Sequence, residues 1–277
     1  MRNKILLLSF WFISSSLLSQ ETDLFNYNNS LKYGNYLYAN KEFELALNEF
    51  KRVLFMDSLN IQANIKIHDS YIRLGEYGEG IHFTNQIHAD KLKNDTLAIL
   101  RSKLLLLNGN FSRFNTEILK DTFLLPGEMI FLNMSENVFQ KNWEGAGKLL
   151  VNAEKYPHLS PYLPIVEKAA AIRYKKPAVS LVMSAVIPGS GKVYSGYWKD
   201  GLVSFLFVGI TAWQSYRGFS KEGVRNPYGW IMGGISFSFY MGNLYGSVKA
   251  ANKRNYEYNH AILDEFKENF ISTYSSY

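Results

Sequence analysis

Cysteine is missing altogether from the 277 residues. Its absence excludes disulfides, thiolate metal sites, a cysteine nucleophile and the acceptor of a lipoprotein anchor. Catalytic patterns are just as scarce. None of the five histidines (His68, His82, His88, His158, His260) stands in a metal-ligand spacing such as His-Glu-x-x-His. There is no Gly-x-Ser-x-Gly elbow, and carboxylates occur singly, without a pair suited to acid–base work. No catalytic residue, metal or cofactor is therefore expected, and the chain reads as a non-enzyme. The net charge of +6 is small and dispersed. No basic run is long enough to follow a phosphate backbone, so nucleic acid is not an expected partner.

What is present is apolar and aromatic: 47% hydrophobic residues, with 19 Tyr and 19 Phe. A sizeable core is within reach, and full disorder is excluded. Arg2 and Lys4 precede an uncharged apolar stretch, Ile5 to Leu18, before Ser19, Gln20 and Glu21 return to polar sequence. This is the layout of a secretory signal over residues 1–20. It is shorter than the ~20 residues of a spanning helix, and it reads as cleaved or as a retained anchor.

Three short segments align: Asn40-Lys41-Glu42-Phe43, Leu74-Gly75-Glu76-Tyr77 and Asn108-Gly109-Asn110-Phe111. Their aromatic recurs evenly at positions 43, 77 and 111, and the interval is the ~34-residue period of a helix-turn-helix repeat. In the first unit Gly34 permits close packing, Leu37 points inside the pair, and Ala46, Phe50 and Val53 continue an apolar stripe at helical spacing. A degenerate fourth unit runs through Trp143, Ala146, Leu150 and Ala153, and Ser160 to Tyr174 reads as a closing helix. The stretch resembles the tetratricopeptide repeat, with Gly34, Phe43, Ala46 and Phe50 on its signature positions. The resemblance implies an array of helical hairpins over residues 26–174. Its concave face, lined by the first helix of each unit, would carry Asn35, Tyr38, Asp69, Arg73, Lys103 and Leu106. Those mixed groups suit a protein or peptide partner.

From Lys176 onward the texture changes. Three uncharged stretches lie between Lys176 and Lys192, between Asp200 and Arg217, and between Arg225 and Lys249. As helices they would measure about 22, 24 and 34 Å, against a hydrocarbon core of ~30 Å. Residues 177–250 therefore read as a membrane domain with a re-entrant or interfacial first piece. Two transmembrane helices are expected, at about 201–217 and 227–248. Gly234, Ser238, Gly242 and Gly246 recur every four residues, a small-residue stripe expected to pack that helix against another. Trp213, Tyr216, Tyr228 and Trp230 flank the loop, where such rings favour the headgroup level. Asn243 and Gln214 are expected to bond each other or backbone. Residues 251–277 read as a polar tail with an amphipathic stretch at Ile262, Phe266 and Phe270, lying on the membrane or docking on the repeats.

The segment Ile187-Pro188-Gly189-Ser190-Gly191-Lys192-Val193-Tyr194 fails as a phosphate loop. Val186 occupies the place of its first glycine, and Val193 follows the lysine. It resembles instead the entrance motif of small bacterial two-helix membrane domains, Pro-Gly-x-Gly-x-x-Tyr-x-Gly, on Pro188, Gly189, Gly191, Tyr194 and Gly196, with Lys192 inside the motif and Asp200 just after it. That resemblance implies location and architecture more than activity. Its backbone N–H groups either meet lipid phosphate or form a structural turn.

The expected fold class is thus all-α, a tetratricopeptide-like array followed by a C-terminal transmembrane hairpin. The expected function is a scaffold or assembly factor of the bacterial cell envelope. It would sit in the inner membrane with its repeats facing the periplasm, its partners being a protein or peptide and the lipid bilayer, with an oligomer left open. The alternative is a small transporter or channel component with an accessory repeat domain. Basic residues flank the membrane part on both sides, so the positive-inside rule does not decide its orientation.

Overall fold

The fold is that of a computed structural model in which residues 25–87, 93–118 and 124–274 are described, apart from the side chains of 152–154. The expected export signal and His88 lie outside the described residues. All regular structure among them is helical, so the chain is all-α.

Eight helices follow one another two by two along the chain, the first three couples packing as pairs. They are α1 (Tyr27–Ala39) with α2 (Phe43–Met56), α3 (Ile61–Leu74) with α4 (Tyr77–Gln86), α5 (Asp95–Leu107) with α6 (Phe111–Ile118), and α7 (Pro126–Phe139) with α8 (Trp143–Leu149). Each second helix opens on the recurring aromatic. The residue two positions earlier adopts a left-handed backbone in every unit: Lys41 (φ 64°), Gly75 (75°), Gly109 (73°) and Lys141 (61°). That conformation ends one helix and reverses the chain. The first helices are fixed by asparagine caps at 26, 60 and 94, again one period apart. Their side chains accept from the backbone N–H of Asn29, Ala63 and Leu97 at 2.9, 2.9 and 3.0 Å.

Compactness divides the chain into two units, residues up to Leu132 with the end from Tyr274, and Asn133–Thr273. In the first unit a Cβ on Gly34 would stand 3.0 Å from the Phe50 ring, and one on Gly80 would stand 2.8 Å from Leu104. These glycines let paired helices touch. Ala46, Phe50, Val53, Ala63 and Ile67 are fully buried, and burying Phe50 alone is worth roughly 2–3 kcal/mol.

The second unit continues through two 3₁₀ segments (Leu150–Lys155 and Pro157–Tyr162), α9 (Leu163–Ala170), α10 (Pro177–Val186), α11 (Ser190–Tyr194), α12 (Trp198–Glu222), a 3₁₀ turn (Gly223–Arg225) and α13 (Pro227–Ser272). The expected closing helix is shorter than the Ser160–Tyr174 reading, because Pro161 and Pro164 fall inside it. The expected boundary near 174–177 also differs from the observed division. The reason is α13, which runs unbroken for 46 residues. Its last turns bring Ile262, Phe266 and Phe270 back onto the pair end. The Phe139 ring lies 5.5 Å from Phe266 and 5.2 Å from Phe270. Tyr162 lies 5.2 Å from Phe266 and bonds Thr273 at 2.6 Å.

No helix among the described residues is long and apolar enough to cross a membrane, so two spanning helices at 201–217 and 227–248 are not supported. The physical reason lies in the seam between α12 and α13. Val208 and Ser215 on one helix and Gly229 and Ser236 on the other are buried there, each pair spaced by seven, the period of helices that stay in register along their length. Gly201 and Asn243, one heptad further along, face the Gly189 turn. Ser215 donates to the Gly229 carbonyl at 2.8 Å, and Ser236 to that of Val208 at 3.3 Å. Small and polar residues that serve this contact lower the mean hydropathy. The small-residue stripe is also corrected. Gly234, Ser238 and Gly242 are exposed, with nothing within 4 Å of a Cβ on Gly234 or Gly242, while Gly246 faces Lys192. A spacing of four drifts around a helix, whereas the antiparallel partner follows the spacing of seven.

Candidate functional site

Two places gather the residues singled out by sequence. The first lies on the first helices of the opening unit. Asn35, Asp69 and Lys103 are equivalent positions, one period apart, on α1, α3 and α5. Asp69 is fully buried and accepts a hydrogen bond from the Tyr38 hydroxyl. The Arg73 Nε reaches Asp69 Oδ2 at 3.4 Å, and the Arg73 guanidinium lies 5.9 Å from the Phe43 ring. Lys66, which sequence reasoning missed, stands one turn before Asp69 with its ammonium 3.8 Å from the Tyr38 ring centre, a cation–π contact. Desolvation lowers its pKa, with Asp69 opposing. Lys103 is wholly buried. Burial pulls its pKa from 10.5 down to about 7, Asp69 opposes that shift, and Arg73 adds to it.

The structure therefore brings Tyr38, Asp69, Arg73 and Lys103 into one cationic cluster, and leaves Asn35 half-buried on the same helix as Tyr38. Leu106 is corrected: at 1% exposure it belongs to the core rather than to an open face. Its place in a helix with nine buried residues out of 13 explains this. Asn35, Tyr38 and Arg73 are the accessible members. Beside this cluster, His68 is buried, with Nδ1 2.7 Å from the Asn64 carbonyl and Nε2 3.0 Å from the Thr84 hydroxyl. Desolvation lowers its pKa to about 4.

The second place is the Pro188–Asp200 segment. Pro188 turns the chain after α10, and Gly189 then takes φ 88°, where a Cβ would stand 2.0 Å from the Gly201 carbonyl oxygen. A Cβ on Gly191 would stand 1.9 Å from the Ser180 oxygen, and one on Gly196 2.5 Å from Arg254. Gly189 and Gly191 are there because backbone meets backbone, and Gly196 because its φ of 90° and the Arg254 guanidinium leave no place for a side chain. Their N–H groups are already used. Gly189 donates to Asn243 Oδ1 at 2.9 Å and Gly191 to Ser184 Oγ at 2.9 Å, and Ser184 bonds Ser247 at 2.6 Å. The reading of a backbone cradle for lipid phosphate is thereby corrected in favour of the structural turn. Tyr194 accepts from the Lys176 N–H at 3.2 Å. Lys192 donates to Ser204 at 2.7 Å. Asp200 is exposed, its carbonyl accepting from Ser204 at 2.9 Å.

Asn243 also donates to the Ser184 carbonyl at 3.3 Å, and Gln214 accepts from the Tyr228 hydroxyl. The two amides thus bond other partners, not each other. The serines at 180, 184 and 247 carried no signal in the sequence, since a lone serine in an apolar helix reads the same whether it faces a partner or not. No family model, curated protein or solved structure matches the chain.

Proposed function

We propose that this protein is a membrane-anchored scaffold of the bacterial cell envelope, a tetratricopeptide-like array joined to a lipid-embedded helical hairpin, holding a protein partner on its first helices. The observation that carries the reading is the apolar belt of the second unit. Leu202, Phe205, Leu206, Phe207, Ile210 and Trp213 on α12 are each 46–61% exposed, and Trp230, Ile231, Phe237, Met241 and Tyr245 extend the belt along α13. Contiguous apolar surface of this kind favours lipid or a partner. Ser215, Gly229 and Ser236, which lower the mean hydropathy, face the seam, while Gly209, Gly234, Ser238 and Gly242 lie exposed between the apolar side chains of the belt. Trp213, Tyr216, Tyr228 and Trp230 cluster at the hairpin turn, the arrangement that favours a headgroup region. The setting proposed is the inner membrane, with the array on the periplasmic side.

The partner surface is the accessible part of the cationic cluster, Asn35, Tyr38 and Arg73. Arg73 is exposed against a single buried carboxylate, Asp69, with Lys66 near that carboxylate, an arrangement that suits an acidic segment. Asn243 and Gln214, the polar groups a transport path would use, are engaged in internal bonds, which disfavours the transporter alternative.

Flotation of the purified full-length chain with phosphatidylcholine vesicles tests the anchor. Co-flotation supports it, and a chain that stays monomeric and soluble without detergent overturns it. Photo-crosslinkers at Asn35, Tyr38 and Arg73 test the partner face. A discrete adduct absent from a crosslinker at Glu44, exposed on α2, is the expected outcome.

A further inference from the structure

A cleft of about 310 Å³ opens between α11, the start of α12 and the middle of α13, lined by Lys192, Tyr197, Asp200, Ser204, Lys249 and Lys253. Three ammonium groups there face one carboxylate. Lys192 is stationed by two features. Its Nζ donates to Ser204, and its stem crosses Gly246, where a Cβ would stand 3.0 Å from Cε and 3.2 Å from Nζ. Lys249 and Lys253 follow Gly246 at three and seven residues, on the same face of α13. The Tyr197 ring supports the far side, with the Lys253 ammonium 5.2 Å and the Arg254 guanidinium 4.7 Å from its centre. Lys253 lies 3.9 Å from Glu257, whereas Lys192 and Lys249 make no ion pair among the described residues.

The place of the cleft along the helices gives it meaning. On α13 the closely spaced exposed apolar residues run to Tyr245, with Tyr256 standing apart beyond them, and Lys249 lies one turn past Tyr245. On α12 Trp198 stands exposed at the first position, and the run of exposed apolar residues begins at Leu202, just after Asp200. The cleft therefore opens at the end of the belt away from the Trp213–Trp230 turn, at the level where lipid phosphates meet a helix whose apolar face is in hydrocarbon. Lysine ammonium groups are compact point charges suited to phosphate oxygens.

We propose that this cleft binds the phosphate of an anionic phospholipid headgroup through Lys192, Lys249 and Lys253, with Gly246 giving Lys192 its path. The proposal rests on the membrane reading above. The test is flotation of the full-length chain with phosphatidylcholine vesicles, with or without phosphatidylglycerol, alongside titration of the micelle-bound chain with glycerol 3-phosphate. The wild type is expected to prefer the anionic vesicles. The triple variant K192Q/K249Q/K253Q is expected to lose that preference, by roughly fivefold per lysine removed, while still floating with pure phosphatidylcholine. Lys192→Arg, which keeps the charge, retains the preference, and helical content checked by circular dichroism confirms that each variant folds. The proposal is overturned if the triple variant keeps the preference, or if removing Lys32, Lys51 and Lys148 abolishes it equally. Saturable binding of glycerol 3-phosphate through the three lysines, with no preference among vesicles, replaces the headgroup by a soluble phosphate ester. Flotation with phosphatidylcholine but no anionic preference sinks the cleft and leaves the anchor standing. Flotation with neither vesicle sinks both.

Discussion

Single residues in this protein are constrained by backbone geometry and by burial, and the two make different predictions. Gly75 has a left-handed backbone with open space around its Cα, and Gly78 sits exposed in α4 with nothing within 4 Å of a Cβ. Alanine at 75 is expected to destabilise by about 1–2 kcal/mol. Alanine at 78 is expected to stabilise by about 0.5–1 kcal/mol. Urea denaturation of the two variants measures the contrast. Burial acts on His68. Its folded pKa of about 4 lies below the unfolded 6.5, so between these values the unfolded chain holds more protons. The stability this group supplies is complete above pH 6.5 and is lost as pH falls toward 4, with a slope of at most about 1.4 kcal/mol per pH unit. Equilibrium unfolding at stepped pH should show that slope in the wild type and a shallower one in His68→Gln.

At the scale of elements, the contacts among α10, α11 and the first half of α13 rest on glycine and serine more than on large side chains. The α10–α11 contact leaves no room at Gly191, where a Cβ would stand 1.9 Å from the Ser180 oxygen. Gly191→Ala is therefore expected to cost more than about 2 kcal/mol, in line with forced overpacking. Gly234→Ala, in open space on α13, is expected to be neutral or to stabilise by up to about 1 kcal/mol. A chain in which Gly234→Ala is the more damaging of the two would show that the exposed stripe, not the seam, carries helix packing. Thermal unfolding in detergent reads both variants.

For the whole molecule, the return of the α13 tail decides how the second unit holds together. Phe266 and Phe270 are fully buried, so Phe266→Ala is expected to cost about 3–5 kcal/mol and to expose the tail to protease. The Lys168–Glu265 pair at 2.7 Å is largely exposed. Breaking it with Glu265→Gln is expected to change stability by less than about 1 kcal/mol and to leave the tail docked. Limited proteolysis and denaturation of the full chain separate the two outcomes.

The sequence by itself determined the all-helical class, the aromatic register of the paired helices and the turns that precede each aromatic. The information for each is local: a helix ends where a backbone angle changes, and a cap or aromatic within a few residues records it. The resemblance to the tetratricopeptide repeat also placed Tyr38, Asp69, Arg73 and Lys103 on first helices, with Asp69 and Lys103 one period apart at equivalent positions. Only the tertiary structure decided that Leu106 is core, that Gly234, Ser238 and Gly242 face outward, that the Pro188–Gly196 amides are consumed by Asn243 and Ser184, and that α13 folds its tail onto Phe139 and Tyr162. Each of these turns on which distant residue fills the space beside a side chain. A glycine or serine looks the same along the chain whether that space holds another helix or is empty.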